Sequence, residues 1–203
     1  MYALVKDDNI QKIINNPKAM IIDDVQYPAK IFQLWSKSEL NNIGIYEVIT
    51  DSTNKKDEAY YINTNEEYNY ADNQVTRSWG TATPKRLEDE NAVDENGDPV
   101  LDGNGVQLIN YGLKTNKKRI IKQQASGLLE KTDWHNHKAF DDETYTIPND
   151  IKTYRANVRA KSNEMETQID ACTTVQELET LYTYTTDDDG VQSRPLAEFP
   201  EEI

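Results

Sequence analysis

The sequence lacks most of the residue patterns on which catalytic and metal sites are built. It has one cysteine, Cys172, so no disulfide can form within the chain and no paired-cysteine zinc site exists. It has neither a glycine-rich phosphate loop nor a Gly-x-Ser-x-Gly nucleophile motif. The only histidines, His135 and His137, would need a third ligand such as Asp141 or Asp142 to hold a metal. We therefore expect no enzyme activity, no cofactor and no metal, and we interpret the histidine segment as a polar loop.

Long apolar runs and positive charge are also scarce. Hydrophobic residues make up 36% of the chain, and no run approaches the length of a membrane span. The 36 acidic residues outnumber the 22 basic ones, and the resulting net charge of −14 repels phosphate backbones. One basic cluster is present, and we interpret it as the solvated start of a helix: Lys114, Lys117, Lys118, Arg119 and Lys122. We therefore expect no nucleic-acid or membrane partner.

Tyrosine is the abundant aromatic residue, with 12 copies against 3 tryptophans and 3 phenylalanines. Its ring packs while its hydroxyl stays solvated, which is typical of strands and of wet protein interfaces. The mean hydropathy of −0.84 also suggests an elongated body, a body partly covered by a partner, or loose segments. We select eight residues as interface candidates: Trp35, Tyr60, Tyr61, Tyr68, Trp134, Tyr154, Val158 and Met165.

The clearest periodic pattern predicts a long helix that starts at Pro148. Its apolar residues recur at steps of three, four or seven and form one stripe: Ile151, Tyr154, Val158, Met165, Ile169 and Cys172. We favour an ordinary core over a coiled-coil seam for this stripe, and Arg155 falls off it. Thr174 and Glu177 have capping-box spacing before a second, shorter helix. With a preceding helix that ends near Thr132, residues 114–183 are predicted to form a helical hairpin or bundle.

The first 50 residues predict a small module of strands and one short helix. A strand at residues 2–5 is followed by a hairpin around Asp23 and Asp24. Ser36 and Glu39 have capping-box spacing, and Gly44 suits the end of that helix. A strand at residues 45–49 closes the module, and residues 51–57 are interpreted as a polar linker. Residues 58–113 are predicted to be rich in strands and hairpins.

Two Asn-Gly pairs, in residues 94–98 and 102–106, predict tight hairpin turns and a small local duplication. A calcium loop is the alternative, because acidic and amide residues alternate from Asp94. We disfavour it because Pro99 stands where such a loop needs glycine, and Gly105 where it needs glutamate. Residues 184–203 are predicted to be an acidic mobile tail, or a segment that lies in a groove of a neighbouring subunit. The predicted class is therefore α+β.

Short strings near both ends of the chain carry a family resemblance: Thr132-Asp133-Trp134, Ile147-Pro148, Tyr154-Arg155, Val158-Arg159, Tyr27-Pro28, Leu34-Trp35-Ser36, Glu39-Leu40 and Ile43-Gly44-Ile45-Tyr46. On these strings the sequence resembles small tail-associated virion proteins, which are encoded near the tail-fibre genes of tailed bacteriophages, and marine cyanophages in particular. The chain departs from that family after Trp134, where a basic residue is common. The family supplies no catalytic residues.

This resemblance implies a structural or adaptor protein of the tail, baseplate or fibre-attachment region, which acts by protein–protein binding. Its partners would be other phage tail or fibre proteins, with homo-oligomers as a further option. It would be made in the host cytoplasm and reside in the virion tail. The alternative is a tail-fibre assembly chaperone that is absent from the mature particle.

Overall fold

The computed structural model describes all 203 residues, which divide into two compact units, Met1–Thr83 and Pro84–Ile203. Each unit is described on its own. Strands and helices are both well represented, so the predicted α+β class is confirmed.

The first unit is built on a curled five-stranded sheet with the order β2-β1-β5-β8-β7. The elements up to the end of this unit, in chain order, are β1 (Tyr2–Lys6), β2 (Asn9–Ile14), β3 (Met20–Ile22), β4 (Val25–Tyr27), α1 (Ile31–Leu34), α2 (Lys37–Asn42), β5 (Ile45–Thr50), β6 (Tyr61–Ile62), β7 (Glu66–Ala71), β8 (Gln74–Trp79) and β9 (Thr83–Pro84). β3 pairs with β4, and β6 with β9, in separate two-stranded sheets.

Local chemistry explains the hairpins and the short helix of this unit. The predicted turn at Asp23 and Asp24 is confirmed, since both residues adopt positive φ angles of 47° and 65°. The Ser36–Glu39 capping box is also confirmed at the start of α2. Gly44 follows α2 with a φ of 80°, and a Cβ there would lie 2.5 Å from the carbonyl oxygen of Val5. Glycine is therefore required where β5 turns back along β1.

The expected module boundary in residues 51–57 does not separate folded units. β5 pairs in parallel with β8, with Val48 opposite Val75, so strands on both sides of this polar segment share one sheet. Val75 is fully buried and clusters with Ala3 and Val5. A parallel pairing needs a long crossover connection, and the polar segment is the first part of that connection.

The second unit contains four helices and two small strand pairs. Its elements are β10 (Glu90–Asn91), β11 (Ile109–Asn110), α3 (Leu113–Glu130), α4 (Asp133–Asp141), α5 (Asn149–Ala171), α6 (Val175–Tyr182), β12 (Thr185–Thr186) and β13 (Gln192–Ser193). The apolar stripe of α5 is core, as predicted, with Val158 and Ile169 fully buried. The Thr174–Glu177 capping box is confirmed at the start of α6. None of the helices combines the length and apolar character needed to cross a bilayer.

The histidine segment is helical, so the predicted polar loop is wrong. It forms most of α4, with Asp133 in the first turn, where a carboxylate favours the positive end of the helix dipole. His135 is buried, and its Nδ1 lies 2.5 Å from the hydroxyl of Tyr145. The helical period of α4 is hard to recognise in the sequence because a histidine, rather than an aliphatic residue, occupies its buried side.

Part of the acidic tail, residues 195–197, packs on the helices, whereas Asp187, Asp188, Asp189, Glu201 and Glu202 stay exposed. Leu196 is 2% exposed, and its amide donates to the carbonyl of Leu181 at 3.0 Å. The side chain of Gln168 donates to the carbonyl of Pro195 at 3.0 Å and accepts from the amide of Ala197 at 2.8 Å. The burial of Leu196 and the two hydrogen bonds of Gln168 hold residues 195–197 against the helices, although the composition of the tail alone predicts mobility.

Candidate protein-interaction surface

The eight predicted interface residues do not form one surface. Five are buried in the interior of their own units: Tyr60, Tyr61, Tyr154, Val158 and Met165. Trp35 is half-buried and packs edge-on against Tyr27 at 5.8 Å between ring centroids. Tyr68 is also half-buried, and its hydroxyl donates to Glu66. Trp134 is the one candidate that stays exposed, stacked on the ring of His135.

Exposed apolar side chains concentrate instead between the first strand of the second unit and α3. Val93 is 52% exposed, Leu101 52%, Ile109 46% and Tyr111 51%. Sequence reasoning predicted turns in this region but no interface. The signal was present as an eight-residue repeat, in which residues 93, 101 and 109 are Val, Leu and Ile.

This repeat closes into a ring of backbone hydrogen bonds, which we call the octad ring (residues 92–109). Ala92, Val100 and Leu108 lie at eight-residue intervals. The amide of Ala92 donates to the carbonyl of Leu108 at 2.8 Å, and that of Val100 to Ala92 at 3.0 Å. The amide of Leu108 donates to Val100 at 2.9 Å and completes the cycle. Each of the three extended segments is therefore held by both of the others.

Two equivalent acidic turns connect the segments of the octad ring, which supports the predicted duplication. In each turn the first aspartate uses Oδ1 to accept from the amides two and four residues later, at 2.8–3.0 Å. The aspartates are Asp94 and Asp102, and Gly97 and Gly105 adopt the positive φ angles that each turn requires. The backbone amide of Asp98 lowers the pKa of Asp94, and that of Val106 lowers the pKa of Asp102.

These aspartates form turns, and no group of side chains in the structure is arranged to hold a metal ion. A third turn of the same type lies between β12 and β13, where Asp187 accepts from the amides of Asp189 and Val191. Sequence reasoning missed this copy, although its spacing of aspartate and Gly190 matches the other two.

Strand pairing places Val93, Leu101 and Ile109 on one side of the octad ring, whereas Leu108, which directly precedes Ile109, is 44% exposed on the other side. Val93 pairs with Pro99, Leu101 with Gln107, and Ile109 with Asn91. Directly paired residues share a side, and alternate residues within a segment share a side as well. The two rules link the apolar residues Val93, Pro99, Leu101 and Ile109 with the polar residues Asn91 and Gln107, and we call the four apolar residues the octad face.

The octad ring is attached firmly to the helices that follow it. The amide of Gly112 donates to Asp89 at 2.7 Å, and the hydroxyl of Thr115 donates to the same carboxylate at 2.9 Å. A Cβ on Gly112 would lie 2.4 Å from the carbonyl oxygen of Glu88. The chain before the ring and the start of α3 therefore approach more closely than any side chain allows.

A second concave feature lies in the first unit, between the end of β1 and the β3–β4 hairpin. It has a volume of about 430 Å³ and is lined by Ile21, Val25 and Tyr27, among others. Lys6 and Asp23 also line it and form an ion pair of 2.6 Å with each other. These two charged groups pair with each other, and the lining of the cleft is both polar and apolar.

Comparisons with protein-family models, curated proteins and solved structures find no significant match for the chain.

Proposed function

We propose that this chain is a structural or adaptor protein of a tailed-phage virion, which acts in the tail, baseplate or fibre-attachment region by binding other proteins. The resemblance at both ends of the chain supports the phage context. The octad face supports the mode of action.

The octad face is the single observation that carries the proposal. Exposed apolar residues are ordinarily scattered singly, whereas a contiguous patch rimmed by polar residues marks an interaction site. Here Val93, Leu101 and Ile109 recur at one position of a repeat and lie on one side. The backbone under them is already closed by its own hydrogen bonds, so binding requires little further ordering.

Mass spectrometry of purified phage particles tests the proposal. We expect the chain in intact particles at a fixed ratio to known tail proteins, and we expect its loss from particles of a tailless mutant. That mutant controls for protein that merely adheres to capsids. Absence from intact particles would refute the virion role, and co-purification with free fibre protein in that case would support the assembly chaperone instead.

A further inference from the structure

We infer that the octad face binds a protein surface with an apolar centre and a rim of lysine or arginine side chains. The inference rests on the proposed function, because it names the chemistry of the partner that this face would bind.

The charge around the face specifies the rim of the partner. Residues 90–111 contain no lysine or arginine and five exposed carboxylates, of which Glu90 pairs with Arg86 at 2.7 Å. The other four form no ion pair: Asp94, Glu95, Asp98 and Asp102. The lowered pKa values of Asp94 and Asp102 keep both carboxylates charged at neutral pH. Charges at the edge of an interface steer association and reject partners of like charge. An apolar patch inside such a rim therefore selects a basic rim on the other side.

A second copy of this chain does not meet that requirement. Its own octad face would bring the same five carboxylates into contact with the first set. Its largest basic cluster, on α3, is already engaged within the chain. Lys114 pairs with Glu88, Lys118 with Asp170 and Lys122 with Glu166, while Arg119 and Lys117 lie over the rings of Tyr111 and Tyr182. The positive charge must therefore come from another molecule.

The same charge argues for a protein rather than for a nucleic acid or a lipid surface. Phosphate backbones and anionic headgroups would both meet the five carboxylates of the rim. The centre of the face, with Val93, Leu101 and Ile109, is favourable only against apolar groups.

The test uses the full-length protein and two synthetic amphipathic helical peptides with identical apolar faces. One peptide carries lysines beside that face, and the other carries glutamates at the same positions. Binding is measured by fluorescence anisotropy. We expect the lysine peptide to bind and the glutamate peptide not to bind. Affinity should fall as ionic strength rises from about 0.01 M to about 0.15 M, because the Debye length shrinks from about 30 Å to about 8 Å.

Two sets of variants test separately how the apolar centre of the octad face and its acidic rim contribute to binding. Val93→Ser, Leu101→Ser and Ile109→Ser together should weaken binding of the lysine peptide at least about tenfold. Leu34→Ser is the matched control, because Leu34 is 75% exposed but lies in the first unit, and it should leave binding unchanged.

The second set is Asp94→Asn, Glu95→Gln, Asp98→Asn and Asp102→Asn together. Asparagine retains an oxygen that accepts the two turn hydrogen bonds, so the turns are preserved while the charge is removed. This variant should bind the lysine peptide with much less dependence on salt. Retained protection of the Ala92, Val100 and Leu108 amides from hydrogen exchange would show that the octad ring is intact in both sets.

Equal binding of the two peptides, or unchanged binding after the serine substitutions, would overturn the inference. A concentration-dependent dimer that the serine substitutions abolish would overturn it as well, because a second copy would then occupy the face. These outcomes are independent of the proposed function: a chain absent from virions can still select the lysine peptide, and a virion protein can still fail to do so.

Discussion

Replacement of Arg155 by methionine is the sharpest test of how the helical unit is held together. The guanidinium is nearly buried where α3 ends and α4 begins. Its Nη1 donates to the carbonyl of Leu129 at 2.8 Å and to the hydroxyl of Thr132 at 2.6 Å. Its Nη2 pairs with Asp133 at 2.7 Å. Arg155 on α5 therefore fixes the junction between two other helices, although the apolar pattern of α5 excludes it.

The structure sets the size of the expected effect. Methionine keeps much of the aliphatic length but removes every donor, so the carbonyl of Leu129 and the hydroxyl of Thr132 lose a charged partner. Breaking a fully buried ion pair costs about 3–5 kcal/mol. The side chain of Asp133 is 46% exposed, so water compensates part of that loss. We expect the free energy of unfolding to fall by about 2–4 kcal/mol.

Urea unfolding followed by far-ultraviolet circular dichroism measures this change, because most of the helix lies in the second unit. With a denaturant slope of about 2 kcal/mol/M, the midpoint should fall by about 1–2 M. Arg155→Lys should lower the free energy of unfolding by less, because an ammonium group can replace part of the hydrogen bonding. Arg159→Met is the matched control, because Arg159 is exposed and donates one long bond of 3.3 Å to the carbonyl of Arg155.

The control should change stability by no more than about 0.5 kcal/mol. Equal midpoints for Arg155→Met and the unmodified protein would show that the guanidinium does not stabilise the junction. Equal losses in the two methionine variants would show that the effect is a general loss of charge from α5.

Two further predictions concern the end of the chain and the start of α6. Leu196→Ala should lower the free energy of unfolding by about 2–4 kcal/mol and expose the segment after α6 to limited proteolysis, whereas the exposed control Val191→Ala should do neither. Glu177 accepts from the amide of Thr173 at 2.6 Å, and this bond is the main cause of its lowered pKa. Its contribution is therefore present above the ordinary carboxyl pKa of 4.5 and is lost as the pH falls through the lower folded value. Hydrogen exchange at the start of α6, compared above and below pH 4.5 with Glu177→Gln as control, should show this loss only in the unmodified protein.

The features that sequence reasoning predicted correctly are those determined by neighbouring residues. The capping box of Thr174 and Glu177 depends on two side chains and the amides between them. The turn at Asp23 and Asp24 depends on residues that tolerate positive φ. Helix α5 extends over 23 residues, which is long enough for its helical period to stand out.

The features that sequence reasoning missed depend on contacts between distant segments of the chain. Nothing near Val48 indicates that Val75 will pair with it in parallel. Leu196 appears in an acidic, proline-containing tail, and its burial depends on the groove that α5 and α6 supply. Arg155 falls off the apolar stripe of α5, yet three acceptors from residues 129–133 surround it.

The octad face illustrates a different difficulty. The sequence shows which residues are aliphatic, but it does not show on which side of the strand they lie. Val and Ile are good strand formers, so residues 93 and 109 could have been chosen for backbone conformation alone. Threonine would serve that purpose equally well at an exposed position, and leucine, which stands at residue 101, is not β-branched. An exposed leucine at residue 101 adds little to the stability of the octad ring. The recurrence of aliphatic side chains at all three equivalent positions therefore supports the proposed contact of this face with a partner.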